Sequence, residues 1–380
     1  MPFHLSKEEQ DGLWLGRIWR PGIGPSVVTL REGMFVDITS AVAPTVRDIF
    51  ERDDPSGYVA NAPGQDIVAL EDIAPDVASE DVRLLAPCDL QAIKASGVTF
   101  AKSMVERVIE EQAAGDPNKA KAIRERISAR IGESLWNIVP GSDQAEKAKE
   151  ALIAEGLWSQ YLEVGIGPDA EVFSKSQTLS AVGWGANVGL HPQSVWNNSE
   201  PEIVLAVNSR GQIVAATIGN DINLRDFEGR SALLLSKAKD NNASCAIGPM
   251  FRLFDNTYSM DSVANAELEM TVEGPEGYIL NGRSLMSEIS RDPADIVAQT
   301  IGRHHQYPDG FVLFLGTLFA PTEDRDEPGQ GFTHKVGDKV SIACNGLGTL
   351  TNTVKLSTES AEWTFGVAAF MRNLASRDLI

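Results

Sequence analysis

Short apolar stretches alternate with glycine and proline turns over residues 1–90. β-Branched and aromatic residues are frequent in these stretches, which is typical of strands. The predicted strands are 13–19, 26–30 and 34–38. A short helix is predicted to begin near Pro44 and Thr45, because proline is tolerated in the first turn of a helix. The pattern therefore predicts a small N-terminal α+β domain that ends near residue 90.

A helical pattern follows over about 101–165. Apolar residues recur every four positions with charged residues between them, as in an amphipathic helix; they are Ile123, Ile127 and Ile131. A further helix is predicted over 144–155, with Gly156 as its end, because glycine commonly follows the last helical residue. Glycine and proline joints separate these parts, so we expect at least three helices.

From 171 to 354 the pattern changes to strands and turns, with one predicted helix at 287–302. The last segment, 360–380, fits a helix and a strand equally well. The sequence contains no internal repeat and no low-complexity tract.

An acidic hairpin is predicted within the strand region. Glu200 and Glu202 are two residues apart, so their side chains leave the same face of a strand. The β-type runs 203–207 and 212–218 flank a polar turn, and such a hairpin returns Asp221 to the pair. Three converging carboxylates repel one another unless a cation or protons offset their charge. The spacing predicts a site for a hard divalent cation; the alternative is a solvated strand edge with a turn aspartate.

Composition narrows the possible partners and the compartment. The chain has 380 residues, 43% of them hydrophobic, which suffices for one large domain and a smaller one. A net charge of −20 without any basic block argues against nucleic-acid and anionic-membrane partners. Three cysteines lie far apart without a C-x-x-C pair, as in a protein with reduced thiols. No apolar stretch approaches the roughly 20 residues that span a bilayer, so a cytoplasmic location is predicted.

Basic residues after Asp221 extend the candidate site. Arg225 can neutralise carboxylates or bind a substrate carboxylate through its planar guanidinium, although a surface salt-bridge cluster is the commoner role. Lys239, beside a cation in a partly dry pocket, is expected to have a lowered pKa and to exchange protons with a substrate carbon; a surface lysine is the alternative. Structural or surface roles are predicted for His191, His304, His305 and His334.

Four sequence blocks, in the same order, resemble blocks of the fumarylacetoacetate hydrolase superfamily over about 84–354. They are similar, in turn, to the block that opens its catalytic domain, its metal-binding core, the segment of its active-site lysine, and its substrate-carboxylate loop with the closing strands. The blocks are 95–103; 200–202, 219–221, 225–226 and 228–229; 239 and 244–249; and 316–317, 337–338 and 346–352. Their shared order makes the resemblance specific.

The resemblance implies an α+β fold with a mixed β-roll or β-sandwich catalytic domain of the fumarylacetoacetase C-terminal type over 91–380. It also implies a homodimer or homotetramer, and a helical insertion over about 101–165 that acts as a lid. It implies Mg²⁺ or Mn²⁺ bound by Glu200, Glu202 and Asp221. Catalytic roles are expected for Lys239, Glu106, Glu110 and Arg225. Substrate binding is expected for Gly316, Thr317, Thr349 and Lys175.

Within the superfamily, the sugar-acid dehydratase branch is the most similar, on residues 236–239, 243–246 and 316–321. It implies a metal-dependent lyase that removes water from a 2-keto-3-deoxy sugar acid, with a role in carbohydrate catabolism. The implied substrate is a 2-keto acid chelated by the cation; it loses a C3 proton and then its C4 hydroxyl. Lys239 is the expected C3 base or enolate stabiliser, and a lid glutamate is the expected proton donor.

One departure separates this chain from the hydrolases and decarboxylases of the superfamily. Those enzymes carry a histidine and, three residues later, a glutamate on a lid helix; here Ser103 and Glu106 stand at the two positions. Without the imidazole, C–C hydrolysis loses its usual base. Glu106, Glu110 and Glu111 stay as candidate lid acids. The alternatives are a hydrolase of a 2,4-diketo acid, a decarboxylase of a 2-keto diacid, and a non-catalytic sugar-acid-binding or structural oligomer.

Overall fold

The computed structural model describes residues 3–77, 80–131, 138–154, 156–326 and 331–380, without the side chains of 126–131. The strands in chain order are β1 (Trp14–Arg20), β2 (Gly24–Arg31), β3 (Met34–Asp37), β4 (Gln65–Ala69), β5 (Arg83–Leu85), β6 (Ala92–Gly97), β7 (Glu171–Ser176), β8 (Asn187–Leu190), β9 (Asn198–Val207), β10 (Ile213–Asn223), β11 (Cys245–Leu253), β12 (Glu267–Glu273), β13 (Ile279–Leu285), β14 (Phe311–Phe314), β15 (Lys339–Cys344) and β16 (Gly348–Leu356). The helices are α1 (Lys7–Gln10), α2 (Val46–Phe50), α3 (Pro55–Asn61), α4 (Ala101–Gln112), α5 (Pro117–Ile131), α6 (Asp143–Ala154), α7 (Gln160–Ile166), α8 (Arg225–Arg230), α9 (Leu235–Lys239), α10 (Met260–Ala264), α11 (Pro293–Thr300) and α12 (Val367–Ser376).

Over the described residues, the strands form one eleven-stranded sheet and one five-stranded sheet. The larger sheet has the order β4-β3-β2-β1-β11-β10-β9-β14-β6-β7, with β5 beside β1, and the smaller has the order β13-β12-β15-β16-β8. The pairs β6–β14 and β8–β16 are parallel, which makes both sheets mixed. Apolar residues of both sheets share one buried cluster, including Ile203, Ile218, Leu268, Ile342 and Leu350. The predicted α+β fold with a mixed β-roll or β-sandwich is therefore confirmed.

The N-terminal strands continue the large sheet. β1, β2 and β3 match the predicted strands, and β1 pairs with β11 through Trp14 and Arg252. The predicted short helix is α2, whose first turn is capped by Thr45: its side chain accepts a hydrogen bond from the Asp48 amide. Because β1 hydrogen-bonds to a strand of the catalytic region, the two parts share one sheet. The domain boundary at residue 90 stays a prediction.

The helical region contains the four helices α4 to α7 among its described residues, which agrees with the expected minimum of three. The predicted amphipathic helix is α5; the side chains of Ile127 and Ile131 lie outside the described residues, as does Glu155 at the predicted end of the next helix. Gly156 has φ +68°, the left-handed conformation that favours glycine after a helix. None of the described helices is both long and apolar enough to cross a membrane.

One predicted helix near the C-terminus is shorter in the structure, and one segment left open by the sequence is assigned. The helix expected over 287–302 is the shorter α11, because Asp292 caps it by accepting a hydrogen bond from the Ala294 amide and Pro293 occupies its first position. The ambiguous segment 360–380 contains the helix α12, which buries Phe370 and Leu374. Neither segment belongs to the strands that carry the acidic hairpin.

Candidate metal centre

The acidic hairpin has the predicted register. β9 and β10 pair antiparallel, with Asp221 opposite Glu200 and Gly219 opposite Glu202. Paired residues point to the same face of a sheet, as do residues two apart along one strand. Ligand oxygens of Glu200, Glu202 and Asp221 lie within 4.8 Å of one another, and all three residues are buried. The convergence inferred from spacing is therefore present.

Glu202 is the carboxylate that most needs a cation. Its side chain accepts a 2.6 Å hydrogen bond from the Gly316 amide, and within the described part of the chain no basic side chain forms an ion pair with it. Burial, followed by the charges of Asp221 and Glu200, raises the pKa of Glu202 well above its usual range. A divalent ion at this position would supply the missing positive charge, so the donor set fits a hard cation.

Glu200 is held by basic residues on two sides. Its Oε2 atom accepts a hydrogen bond from Lys239 Nζ at 2.7 Å, and its Oε1 atom accepts hydrogen bonds from Arg107 and, at 3.2 Å, from Asn223. Although burial alone would raise the pKa of Glu200, the charges of Lys239 and Arg107 outweigh it and lower the pKa to about 2. Glu200 is therefore ionised and ready to act as a ligand.

Lys239 lies at the end of α9 and bridges two of the three carboxylates. Its Nζ atom is 2.7 Å from Glu200 Oε2 and 2.9 Å from Asp221 Oδ2. Burial would lower the pKa of Lys239, but the charges of Asp221, Glu200 and Glu228 are stronger and raise it. Among these carboxylates Lys239 acts as a positive charge, and the lowered pKa expected for it beside a bound cation stays a prediction.

Lys175 lies behind Asp221 in the interior. The side chain is fully buried, with Nζ 2.9 Å from Asp221 Oδ1 and 2.5 Å from the Lys239 carbonyl oxygen. A buried lysine so engaged fixes the orientation of the carboxylate and of the end of α9. Lys175 thus positions Asp221, and the substrate contact expected of it stays a prediction.

The lid glutamates form an ion-pair network with arginines. Glu106 accepts hydrogen bonds of 2.8 and 2.7 Å from Arg124, and Arg225 donates one of 3.3 Å to it and one of 2.7 Å to Glu110. Burial would raise the pKa of Glu106, but Arg124 and Arg225 outweigh it and lower the pKa. Arg225 therefore neutralises lid carboxylates, the first of its two predicted roles, and Glu106 is a poor proton donor.

Two further residues of α4, Ser103 and Glu111, form hydrogen bonds with residues outside the triad. Ser103, at the position of the hydrolase histidine, donates a 2.9 Å hydrogen bond to the Phe100 carbonyl oxygen of its own helix turn. Glu111 accepts hydrogen bonds from Ser159 at 2.5 Å and from Gln160 at 2.9 Å. Among the described residues no basic side chain hydrogen-bonds to Ser103, so Ser103 does not replace the imidazole as a base.

Two of the predicted substrate-binding residues reach the centre. Gly316 and Thr317 line the cavity at the triad, and Gly316 has φ +83°. A Cβ atom there would lie 2.2 Å from Thr99 Oγ1, so glycine is required for both conformation and space. Thr349 lies on β16 opposite Ala343, in the smaller sheet, and is absent from the described lining of this cavity.

Sequence reasoning missed two charged residues of the cavity, Glu171 and Arg107. Glu171, at the start of β7, pairs with Gly97 of β6, where a Cβ atom would lie 2.1 Å from the Glu171 carboxylate. Burial, followed by the charge of Glu228, raises the pKa of Glu171 to about 7. Arg107 follows Ser103 by one helical turn, and that spacing placed it on the lid face that was already under consideration.

The cavity is narrow and negatively charged. Among the described residues, five acidic and two basic side chains line it: Glu171, Glu200, Glu202, Asp221 and Glu228, with Arg107 and Lys239. Its volume is about 20 Å³, which holds roughly one water molecule. The excess of carboxylates favours a cation, and a larger ligand requires a lining side chain to move.

Comparison with known proteins identifies the family. Residues 167–355 match the family described as fumarylacetoacetate (FAA) hydrolase, C-terminal. This range includes Glu171, the acidic hairpin, Lys239 and Gly316. Residues 167–355 therefore form a fumarylacetoacetate hydrolase C-terminal domain, and three of the four sequence blocks lie within this range.

Two curated relatives are sugar-acid dehydratases by name. The chain is 28% identical over 281 residues to a probable 2-keto-3-deoxyxylonate dehydratase of Haloferax volcanii, covering 73% of this chain and 91% of the relative. It is 29% identical over 188 residues to 2-dehydro-3-deoxy-D-arabinonate dehydratase of Saccharolobus solfataricus, covering 49% of this chain and 58% of that protein.

A solved structure of 2-keto-3-deoxy-D-arabinonate dehydratase, complexed with magnesium and 2,5-dioxopentanoate, has a similar fold. It superposes with a TM-score of 0.60 at 20% identity, over 90% of this chain and 99% of that one. At this identity the likeness establishes the fold alone.

Proposed function

We propose that this protein is a Mg²⁺-dependent hydro-lyase that removes water from a 2-keto-3-deoxy sugar acid. Three buried carboxylates converge on one point, and Glu202 has no basic partner among the described residues. This observation carries the proposal, because a divalent cation would offset the negative charge of Glu202. The three side chains also supply the carboxylate oxygens that Mg²⁺ or Mn²⁺ prefers as ligands. The names of the two curated relatives support the substrate class.

The ligand residues would be Glu200, Glu202 and Asp221. When bound, Mg²⁺ supplies a Lewis acid for the keto group of a 2-keto acid. Lys239 contributes a fixed positive charge between Glu200 and Asp221, which stabilises negative charge that develops on the substrate as its C3 proton leaves. Of the two roles considered for Lys239, its ion pairs with Glu200 and Asp221 favour this one over that of C3 base.

Glu171 is the residue best suited to move the proton. Its pKa of about 7 lies near the usual working range, where a carboxyl group can act both as base and as acid. In its ionised form it takes the C3 proton; the C–H electrons form the C3–C4 double bond as the C4–O bond breaks. The same proton is then donated to the departing hydroxyl, which leaves as water. Glu106 and Glu110 are less suited to proton transfer because both form ion pairs with arginines.

The proposal predicts a pH profile. Because the ionised form of Glu171 takes the C3 proton, kcat should rise with pH through the pKa of that carboxyl group, which is about 7 without a cation and falls below 7 when Mg²⁺ adds its positive charge to the cavity. Glu171→Gln should lower kcat by about 10²–10⁴-fold, the usual contribution of a general acid–base residue, with Mg²⁺ affinity retained. The measurement is kcat against pH at saturating Mg²⁺, with metal binding followed by calorimetry. A kcat that is highest at acidic pH, or a fully active Glu171→Gln variant, would refute this role.

Product analysis tests the reaction class. Metal-free protein is incubated, with and without Mg²⁺, with 2-keto-3-deoxy pentonates and with 2,4-diketo acids, and the products are weighed by mass spectrometry. We expect Mg²⁺-dependent loss of one water with the carbon skeleton intact. Cleavage of the carbon chain into two products would instead support the hydrolase, and loss of CO₂ would support the decarboxylase. Tight binding without turnover would support a non-catalytic protein. The serine at position 103, bonded to its own helix, argues against the hydrolase.

A cytoplasmic location and a homodimer or homotetramer complete the proposal, with no nucleic-acid or membrane partner. Three free cysteines, all buried, support a reducing compartment. The net charge of −20 supports the absence of nucleic-acid partners. Light scattering of the purified protein measures its molar mass and hence the number of subunits.

A further inference from the structure

Arg107 connects the lid helix α4 to the metal centre. Its guanidinium lies 2.6 Å from Glu110 Oε2 on the same helix and 3.1 Å from Glu228 Oε2 on α8, and it donates a hydrogen bond to Glu200 Oε1. The charges of Glu110, Glu228 and Glu200 outweigh burial and raise the pKa of Arg107, so it carries its positive charge throughout. One guanidinium therefore serves three carboxylates, one of them a candidate metal ligand.

Arg107 is also the most exposed of the three basic side chains that pair with the triad. The side chain of Arg107 is 12% exposed, whereas that of Lys239 is 4% exposed and that of Lys175 is fully buried. Because the cavity has room for only about one water molecule, a 2-keto acid can enter only if a lining side chain is displaced. Arg107 projects from the lid rather than from the sheet, so its displacement leaves the triad intact.

Electrostatics couples that displacement to the cation. A divalent ion among the three carboxylates repels a guanidinium that is bonded to one of them, and it reduces the attraction of Glu200 for Arg107. The same ion leaves Glu200 with Lys239 as a partner on its other oxygen. Cation binding therefore weakens the Arg107–Glu200 contact while the triad stays assembled.

We propose that Arg107 is a substrate-binding residue that exchanges Glu200 for the carboxylate of the incoming 2-keto acid. The inference rests on the proposed function, because it requires a 2-keto acid as the ligand. A planar guanidinium pairs with a carboxylate through two parallel hydrogen bonds, a geometry that lysine does not reproduce. The released guanidinium supplies positive charge to an anion that otherwise enters an acidic cavity.

Opposite effects on two ligands distinguish this role from a structural one. In Arg107→Gln, Mg²⁺ should bind at least as tightly as in the wild type, because a competing positive charge is gone. Pyruvate, the smallest 2-keto acid, should bind the Mg²⁺-loaded variant roughly 10- to 100-fold more weakly, the loss typical of a charge-assisted hydrogen bond. The pyruvate affinity of Arg107→Lys should lie between that of the wild type and that of Arg107→Gln. Isothermal titration calorimetry measures both affinities in the full-length protein.

Arg124→Gln is the matched control. Arg124 is a second lid arginine, paired with Glu106 and without a described contact to the triad, so its loss should leave pyruvate affinity within about twofold. Unchanged pyruvate affinity in Arg107→Gln would overturn the inference. Loss of Mg²⁺ binding in that variant would also overturn it, since Arg107 would then be structural. A wild-type protein that binds Mg²⁺ but no 2-keto acid would refute the proposed function and this inference together.

Discussion

Replacing Glu202 with glutamine is expected to remove metal binding and nearly all activity. Mg²⁺ affinity should fall roughly 100-fold or more, since carboxylate charge sets the affinity of oxygen-ligand sites. Activity should fall about 10³-fold, because Lewis-acid stabilisation is worth several kcal/mol and each ~1.36 kcal/mol is tenfold in rate. Calorimetry with Mg²⁺ and a turnover assay on the 2-keto-3-deoxy acid measure the two losses.

The same substitution should stabilise the metal-free protein. The folded-state pKa of Glu202 is raised, so its protonated form favours folding at low pH, and that stability is lost as pH rises through the raised pKa. Glutamine has no such proton to lose and can still accept the hydrogen bond of the Gly316 amide. We expect a higher Tm than wild type at pH 8 without metal. A lower Tm would mean that Glu202 has a structural role instead.

An exposed glutamate provides the control. Glu273 lies on β12 of the smaller sheet, away from the acidic hairpin, and Glu273→Gln removes the same charge from the surface. This variant should keep Mg²⁺ affinity, activity and Tm close to wild type. Equal losses in both variants would show that net charge, rather than the triad, governs metal binding.

Replacing Lys239 with methionine should lower activity without lowering Mg²⁺ affinity, unlike the replacement of Glu202. The positive charge between Glu200 and Asp221 disappears, so activity is expected to fall about 10²–10³-fold, as when a preorganised electrostatic group is lost. Mg²⁺ affinity should hold or increase, because the ligands lose a competing cation. Steady-state kinetics at saturating Mg²⁺ and calorimetric titration of the metal-free protein with Mg²⁺ separate the two effects.

Lys237 is the matched control for this substitution. It lies two residues earlier on the same short helix, is exposed, and has its ammonium 5.2 Å from the ring centroid of Phe227. Lys237→Met should retain activity within about twofold, the range typical of surface substitutions. If Lys239→Met turned over substrate as fast as Lys237→Met, the assigned electrostatic role would be wrong.

The acidic hairpin could be predicted because strand geometry has a period of two. Glu200 and Glu202 share a face, and a hairpin of that length returns Asp221 beside them, which the observed register confirms. The helical insertion and the N-terminal strands were also predictable from periodicity and turn residues. All of these features follow from the spacing of residues that are close in sequence.

Contacts between distant parts of the chain could not be predicted in this way. Arg107 reaches Glu200 across 93 positions of sequence, and Glu171 faces the site only because β7 pairs with β6. The charge balance around Lys239 could not be predicted for the same reason: the charges of three carboxylates act on this ammonium, and the sequence does not reveal how many converge. Site electrostatics depends on tertiary contacts that no local pattern encodes.

Anomalous diffraction from a crystal soaked in Mn²⁺ tests the central claim most directly. We expect a single Mn²⁺ peak bound by carboxylate oxygens of Glu200, Glu202 and Asp221, at about 2.0–2.6 Å from each, as for hard divalent ions. The Glu202→Gln crystal should lack this peak. Wild-type density in which no ion contacts these three side chains would contradict the metal-dependent mechanism.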